Sequence, residues 1–394
     1  MSRRAAGGVV AAAAVWAIAG WLLWRSSLPS GGLPHVDVHS LVSPATLRRA
    51  DRYSAWARRL WLGSTAAQLV ALGVYARIGT RWTRESAAGP IGTGMLLGML
   101  GFALVWAAQL PFAVLTVWWR RDNELGGSYL DATVGNWLAL GVEFVFLCVA
   151  LAIVMGLARS RVGERWWIAA APCFVGLSLL FAFVSPWLLG GRALDSSDLR
   201  AATARLEQVE HVRHVPVRVL DGFDEPNAFA TGLGPSRRVF LWSPIVEPPF
   251  THRQIRVVIA HELGHLAHGH IWKSLGWYAL FAFPGAFLLA LATRRRGGMR
   301  EPAAVPLSLL VLVVLGLVAL PLQNLVTRHM EAEADWSALR ATHDPAAARR
   351  LFANFVGATL SDPDPPAWDY VLLENHPTLL QRAELARLYA ERRR

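Results

Sequence analysis

Seven stretches of this chain, each close to twenty residues long and almost free of charge, limit its possible folds more than any other feature. They cover about 8–24, 60–78, 93–118, 137–157, 167–189, 274–293 and 304–326. A helix needs roughly 20 apolar residues to cross the hydrocarbon core of a bilayer. In lipid, only helices and closed barrels satisfy their own backbone polar groups. The expected fold class is therefore mainly α, a transmembrane helical protein with about seven spans. Composition points the same way: 54% of the residues are apolar and 17% charged, whereas a water-facing surface usually takes about a quarter charged.

The net charge is +11. A basic balance suits either nucleic acid or an anionic membrane surface, and the positions of the arginines decide between them. Arg3 and Arg4, Arg120 and Arg121, and Arg294 to Arg296 stand as short clusters beside apolar runs, as helix ends do at a lipid interface. Trp24, Trp61, Trp118, Trp119, Trp166 and Trp167 flank the runs as an interfacial belt would. No basic stripe is interleaved with aromatics, which argues against nucleic acid. The first run follows Ser2-Arg3-Arg4, but Trp16, Trp21 and Trp24 occupy the place of a small-residue cleavage site, so it reads as a retained anchor.

Several runs carry polar residues: Gln109, Glu143, Gln323 and Asn324. At depth such groups face one another or a cavity. Glu143 either bonds to a neighbour or borders a water-filled chamber. Cys148 and Cys173 fall inside apolar runs and read as buried small hydrophobes.

Two segments are soluble in character, about 190–273 and 327–394. In the first, Asp195 to His211 reads as an amphipathic helix. Val215 to Leu220 and Arg238 to Trp242 alternate weakly, with Asp221-Gly222 and Thr231 to Gly234 as breakers. That pattern predicts a small antiparallel β-sheet. Thr251, with Gln254 three residues on, opens a helix through a capping box, and the helix is expected to run to about His270.

This helix carries His261-Glu262-Leu263-Gly264-His265. Four residues is about one turn, so both imidazoles project from one face and can share one metal ion. Zinc takes two such nitrogens and a third protein ligand, with water in the open position. Glu262 lies beside that water and can act as its base. The bland alternative is two surface histidines on one polar turn. For the third ligand, His268 and His270 are near in sequence. The extended pattern that places glycine three residues and histidine six residues after the second ligand is not met, because those positions hold His268 and Ile271. Glu331 in Glu331-Ala-Glu-Ala-Asp335 fits better. Glu331 and Asp335 share a helix face at i and i+4, so Glu331 can bind the metal while Asp335 receives the free N–H of a ligand histidine, His261. Otherwise the pair is a solvated acidic stretch of helix. Two expected spans separate His261 from Glu331 and return the chain to the same membrane face.

At this point the chain resembles the type I CAAX prenyl endopeptidases and their bacterial membrane relatives, the HtpX-like proteases, which are gluzincins. The resemblance rests on His261 to His265, on Arg328-x-x-Glu331-x-x-Ala334-Asp335, on Asn227-Ala228-Phe229-Ala230, and on His376-Pro377 followed by Arg382. It covers about 227–382 in order and separation; over 1–190 only the helix count matches. Thr327 departs from the family's frequent serine, and Trp336 follows Asp335. The resemblance implies one zinc ion per chain and a zinc-binding helix pair. It further implies a substrate-binding edge strand at Asn227, Ala228 and Phe229, His376 as an oxyanion donor, and Arg382 as a brace for the acidic region. It also implies two regions, a membrane region over 1–189 and a metallopeptidase domain over 190–394. The expected partners are the lipid bilayer and a peptide or membrane-protein substrate. The expected site faces the cytoplasm of a bacterial cytoplasmic membrane. Two other readings stay open: a catalytically silent chaperone or scaffold, against which the intact Glu262 argues, and a membrane signal transducer, for which the 25–59 loop is short.

Overall fold

The structure, a computed structural model, describes residues 3–82 and 88–394. Side chains of Ser2-Arg3-Arg4, and those at the start of the 8–24 and 137–157 runs, lie outside the described residues. The helices are α1 (Arg3–Trp24), α2 (Pro44–Ile78), α3 (Gly89–Asp122), α4 (Asn136–Arg159), α5 (Trp166–Leu188), α6 (Ser197–Val209), α7 (His252–Ala267), α8 (His270–Thr293), α9 (Val305–Thr342), α10 (Pro345–Thr359), α11 (Ala367–Leu372) and α12 (Leu379–Arg392). The strands are β1 (Arg192–Ala193), β2 (Val217–Leu220), β3 (Ala228–Thr231) and β4 (Arg238–Trp242).

Among the described residues, four helical segments are long and apolar enough to cross a membrane: Gly89–Asp122, Gly163–Leu188, His270–Arg296 and Pro302–Thr342. The seven-span expectation is thus met at four places. Helix α2 falls short because Arg48, Arg49, Asp51, Arg52, Arg58 and Arg59 load its first half with charge, and Gln68 and Arg77 interrupt its second half. Helix α1 contributes the shorter apolar piece Ala13–Trp24.

The chain divides into two compact units. One comprises Tyr53–Gly176 and Phe281–Ala319. Its helices α3 and α4 approach closely, because Gly94 and Gly98 leave room for Met155 and Leu151, the small-residue packing that lipid-embedded helices favour. A cavity of about 400 Å³ in this unit is bordered by Gln68, Gln109 and Glu143. Cys148 is half-buried and Cys173 exposed, and both are free, unlike the buried pair expected.

The other unit comprises Met1–Arg52, Leu177–Leu280 and Leu320–Arg394. Its core joins the sheet to α6, α7, α10 and α12 through Leu199, Val219, Val239, Leu241, Leu263, Leu351 and Ala383, all nearly inaccessible. The sheet order is β1-β2-β4-β3. It is mixed, which corrects the antiparallel expectation: β1 with β2 and β3 with β4 are antiparallel, but β2 and β4 run parallel. Alternation reveals a strand but not its direction, and here the chain passes through the edge strand β3 before returning beside β2. Asn227 anchors β3 by accepting the Trp242 N–H at 2.9 Å.

Helix α7 begins at Thr251, whose N–H donates to the Gln254 side chain at 2.8 Å. It ends at Ala267, short of the expected His270. Gly269, at φ +64°, turns the chain in the left-handed region, which glycine enters without steric cost, and α8 starts at His270.

Candidate metal centre and active site

The i, i+4 spacing puts His261 and His265 on one face of α7, and the same spacing puts Glu331 and Asp335 on one face of α9. The two faces meet. Gly264 permits the approach, since a Cβ there would stand 3.0 Å from Ser337 Cβ. His261 Nε2 and His265 Nε2 lie 3.0 Å apart. Glu331 Oε2 is 3.1 Å from the former, and Oε1 is 3.4 Å from the latter. One donor atom from each of the three residues falls within 4.8 Å of the others.

This set fits zinc. With Zn–N and Zn–O bonds of about 2.0–2.1 Å in a tetrahedron, two ligand atoms stand about 3.3–3.4 Å apart. The separations found are within a few tenths of that. The donor chemistry, two imidazoles and a carboxylate, is also a zinc set. Two imidazole nitrogens aimed at each other beside an acceptor-only carboxylate call for a positive charge between them.

Asp335 stands behind His261, with Oδ1 2.9 Å from Nδ1. Arg382 grips the same carboxylate in bidentate fashion, Nε to Oδ2 at 2.7 Å and Nη2 to Oδ1 at 2.6 Å. Burial opposes charge on His261, but the carboxylates of Asp335 and Glu331 outweigh it and carry its pKa up to about 10. Arg382, buried yet facing Asp335, is held above its ordinary value. Arg328 takes no part in the acidic cluster; its guanidinium donates to the Tyr370 and Glu374 carbonyls.

Glu262 is 5% exposed. Burial raises its pKa above the usual carboxylate range, and the facing imidazoles and the Ala230 N–H only partly pull it back. Its contact with Ala230 sets the edge strand β3 directly beside it. Asn227, Ala228 and Phe229 border the same cleft of about 560 Å³ as His261, Glu262, His265, Glu331 and His376. The half-exposed His376 places Nε2 3.3 Å from Glu331 Oε2, while its Nδ1 meets Asn375 Oδ1 at 2.7 Å.

The other two histidines stand apart from the three donors. His268 Nε2 meets Ser337 Oγ at 3.3 Å. His270 lies behind His265, with the two Nδ1 atoms 2.8 Å apart. Beyond it is Glu333, 1% exposed, a residue that sequence reasoning passed over. It lies two positions from Glu331, on a different face of α9, and the signal that could have found it is the chain's only lysine, Lys273, which pairs with it at 2.8 Å.

A family model described as Peptidase family M48 matches residues 193–389. The Bacillus subtilis (strain 168) protein named Uncharacterized metalloprotease YhfN is 24% identical over 382 residues, spanning 89% of this chain and 87% of that protein. A Protease HtpX homolog from Janthinobacterium sp. (strain Marseille) is 23% identical over 281 residues, spanning 61% of this chain and 96% of the homolog. Among solved structures, the crystal structure of S. mikatae Ste24p superposes with a TM-score of 0.72 at 17% identity, covering 95% of this chain and 96% of that one. That likeness is one of fold.

Proposed function

The chain belongs to peptidase family M48 as an HtpX/Ste24-like membrane metalloprotease, and from that premise we propose that it is a zinc endopeptidase cleaving membrane-associated proteins or peptides. One observation carries the reading: His261, His265 and Glu331 converge at zinc-like separations beside the buried Glu262 and the edge strand β3. The ligands are His261, His265 and Glu331. A zinc ion held there supplies an activated water, near neutral in pKa, and polarises the scissile carbonyl.

The remaining work falls to the chain's own groups. An extended substrate adds to the free edge of β3 at Asn227, Ala228 and Phe229, so its backbone is held by strand pairing. Glu262 removes a proton from water and returns it to the departing amine. His376 donates a hydrogen bond to the carbonyl oxygen as it gains charge. Asp335 fixes the tautomer and orientation of His261, and Arg382 fixes Asp335. In this reading seven helices cross the bilayer, α1, the apolar half of α2 and α4 joining the four above. Their apolar runs support that count. The site faces the cytoplasm of a bacterial cytoplasmic membrane, a placement supported by the resemblance to bacterial relatives.

The test is reconstitution in lipid vesicles with a membrane-anchored peptide. The protein should contain about one zinc per chain, and cleavage should stop on chelation and return with zinc. Chelator-resistant cleavage would overturn the reading. Two variants refine it. Asp335→Ala should weaken zinc binding by roughly 10–100-fold, measured by competition with a chromophoric chelator. Unchanged affinity would leave Asp335 as a partner of Arg382 alone. His376→Ala should lower kcat by about 100–1,000-fold, with little change in KM and full zinc content, because the bond it makes matters in the transition state. Near-normal turnover would return His376 to the status of a loop residue.

A further inference from the structure

His265 turns Nε2 toward His261 and Glu331, and its other nitrogen toward His270. From there a line of polar groups continues, buried at the link between His270 and Glu333. His270 Nε2 lies 3.0 Å from Glu333 Oε2. Lys273 Nζ donates to the same oxygen at 2.8 Å, and the Ser27 N–H donates to Oε1 at 2.5 Å. Lys273 also donates to the Arg25 carbonyl at 3.0 Å. His270 is 3% exposed and Glu333 1%, so water does not substitute for these partners.

The order of donors and acceptors along this line has one consistent solution for neutral imidazoles. Two imidazole nitrogens in contact share a single hydrogen. When His265 gives its Nε2 lone pair to a metal, its hydrogen resides on Nδ1. His270 must then accept at Nδ1 and carry its own hydrogen on Nε2. That hydrogen points at Glu333, which as a carboxylate only accepts. The reverse assignment fails. With the His265 hydrogen on Nε2, His270 would donate from Nδ1 and set a bare Nε2 against the carboxylate, two acceptors 3.0 Å apart in the interior.

We infer that His270 and Glu333 are positioning residues for His265, setting its tautomer and ring plane through this directional line, with Lys273 and the Ser27 amide holding Glu333. The inference rests on the reading of His265 as a zinc ligand. Each histidine of that ligand set is then backed by a carboxylate: His261 directly by Asp335, His265 through an intervening imidazole. Such outer hydrogen bonds raise ligand basicity and restrict ring rotation. The turn at Gly269 is what makes the second arrangement possible. On an unbroken helix, a residue five positions after His265 would project about 140° away from it.

The experiment is zinc titration of the full-length protein against a chromophoric chelator. It compares wild type, His265→Ala, His270→Ala, His270→Gln and Glu333→Gln. His270→Ala should weaken zinc binding by about 10–100-fold. His270→Gln should recover most of the affinity, because an amide oxygen can accept from His265 while its –NH2 donates to Glu333. In the zinc-loaded wild type, ¹⁵N spectra of labelled histidine should place the His265 hydrogen on Nδ1, slow to exchange with solvent, and His270→Ala should make it exchange fast. Should His270→Ala fail to fold, Glu333→Gln reads the same quantity. Its amide cannot accept from His270, Lys273 and Ser27 together, and it too should bind zinc more weakly. Unchanged affinity in the folded His270 and Glu333 variants, or a His265 hydrogen on Nε2, would overturn the inference while leaving the zinc centre intact. Full zinc retention in His265→Ala would instead overturn the reading of the centre.

Discussion

Glu262→Gln should lower turnover of a membrane-anchored peptide by roughly 100–10,000-fold, the usual worth of a positioned acid–base group, while the protein keeps its zinc. The substitution preserves volume and removes only the ability to exchange a proton. Glu262 suits that task because burial lifts its carboxyl above the ordinary range, with His261 and His265 pulling back. Zinc content and kcat measured on one preparation decide the matter. Near-normal turnover would mean that the base lies elsewhere in the cleft. Loss of zinc would mean that the variant disturbs the centre itself.

Glu331→Ala should behave differently, losing most of its zinc and, with it, at least as much turnover. Removing this side chain takes away a carboxylate whose two oxygens reach both imidazole Nε2 atoms, at 3.1 and 3.4 Å. It leaves two imidazole nitrogens facing each other 3.0 Å apart. The contrast between the two variants is diagnostic: rate without metal loss for Glu262, rate with metal loss for Glu331. Elemental analysis alongside turnover reads both. Full zinc retention after Glu331→Ala would sink the proposed ligand set and draw attention to His376, whose Nε2 lies 3.3 Å from Glu331 Oε2.

The centre was legible where its geometry is local. One helical turn separates His261 from His265, and one separates Glu331 from Asp335, so a face can be read from spacing alone. What spacing cannot show is a break in the helix. Sequence offers His270 only as a third-ligand candidate that Glu331 outranks, and it is the left-handed Gly269 that brings it to His265. Glu333 was missed for a related reason. Two residues on from Glu331 is about 200° around the helix, so the spacing that groups Glu331 with Asp335 leaves Glu333 out. Its partners Ser27 and Lys273 come from far along the chain. The parallel pairing of β2 and β4 was also out of reach, since both directions give the same alternation. At α2 the run is interrupted by Gln68 and Arg77, so this helix is not among the four that are long and apolar enough to cross a membrane.

If a substrate adds to β3 as proposed, the place of that strand at the edge of the sheet decides what the cleft would select. An unpaired edge offers main-chain groups, and these recognise any backbone able to lie straight. A helical transmembrane segment has already spent its own amides and carbonyls internally, so it must first unwind before it can be threaded past Glu262. Discrimination then follows the local opening free energy of the victim more than its sequence. Each additional ~1.4 kcal/mol needed to open a segment should slow its destruction about tenfold, so intact helices are spared and frayed ones consumed.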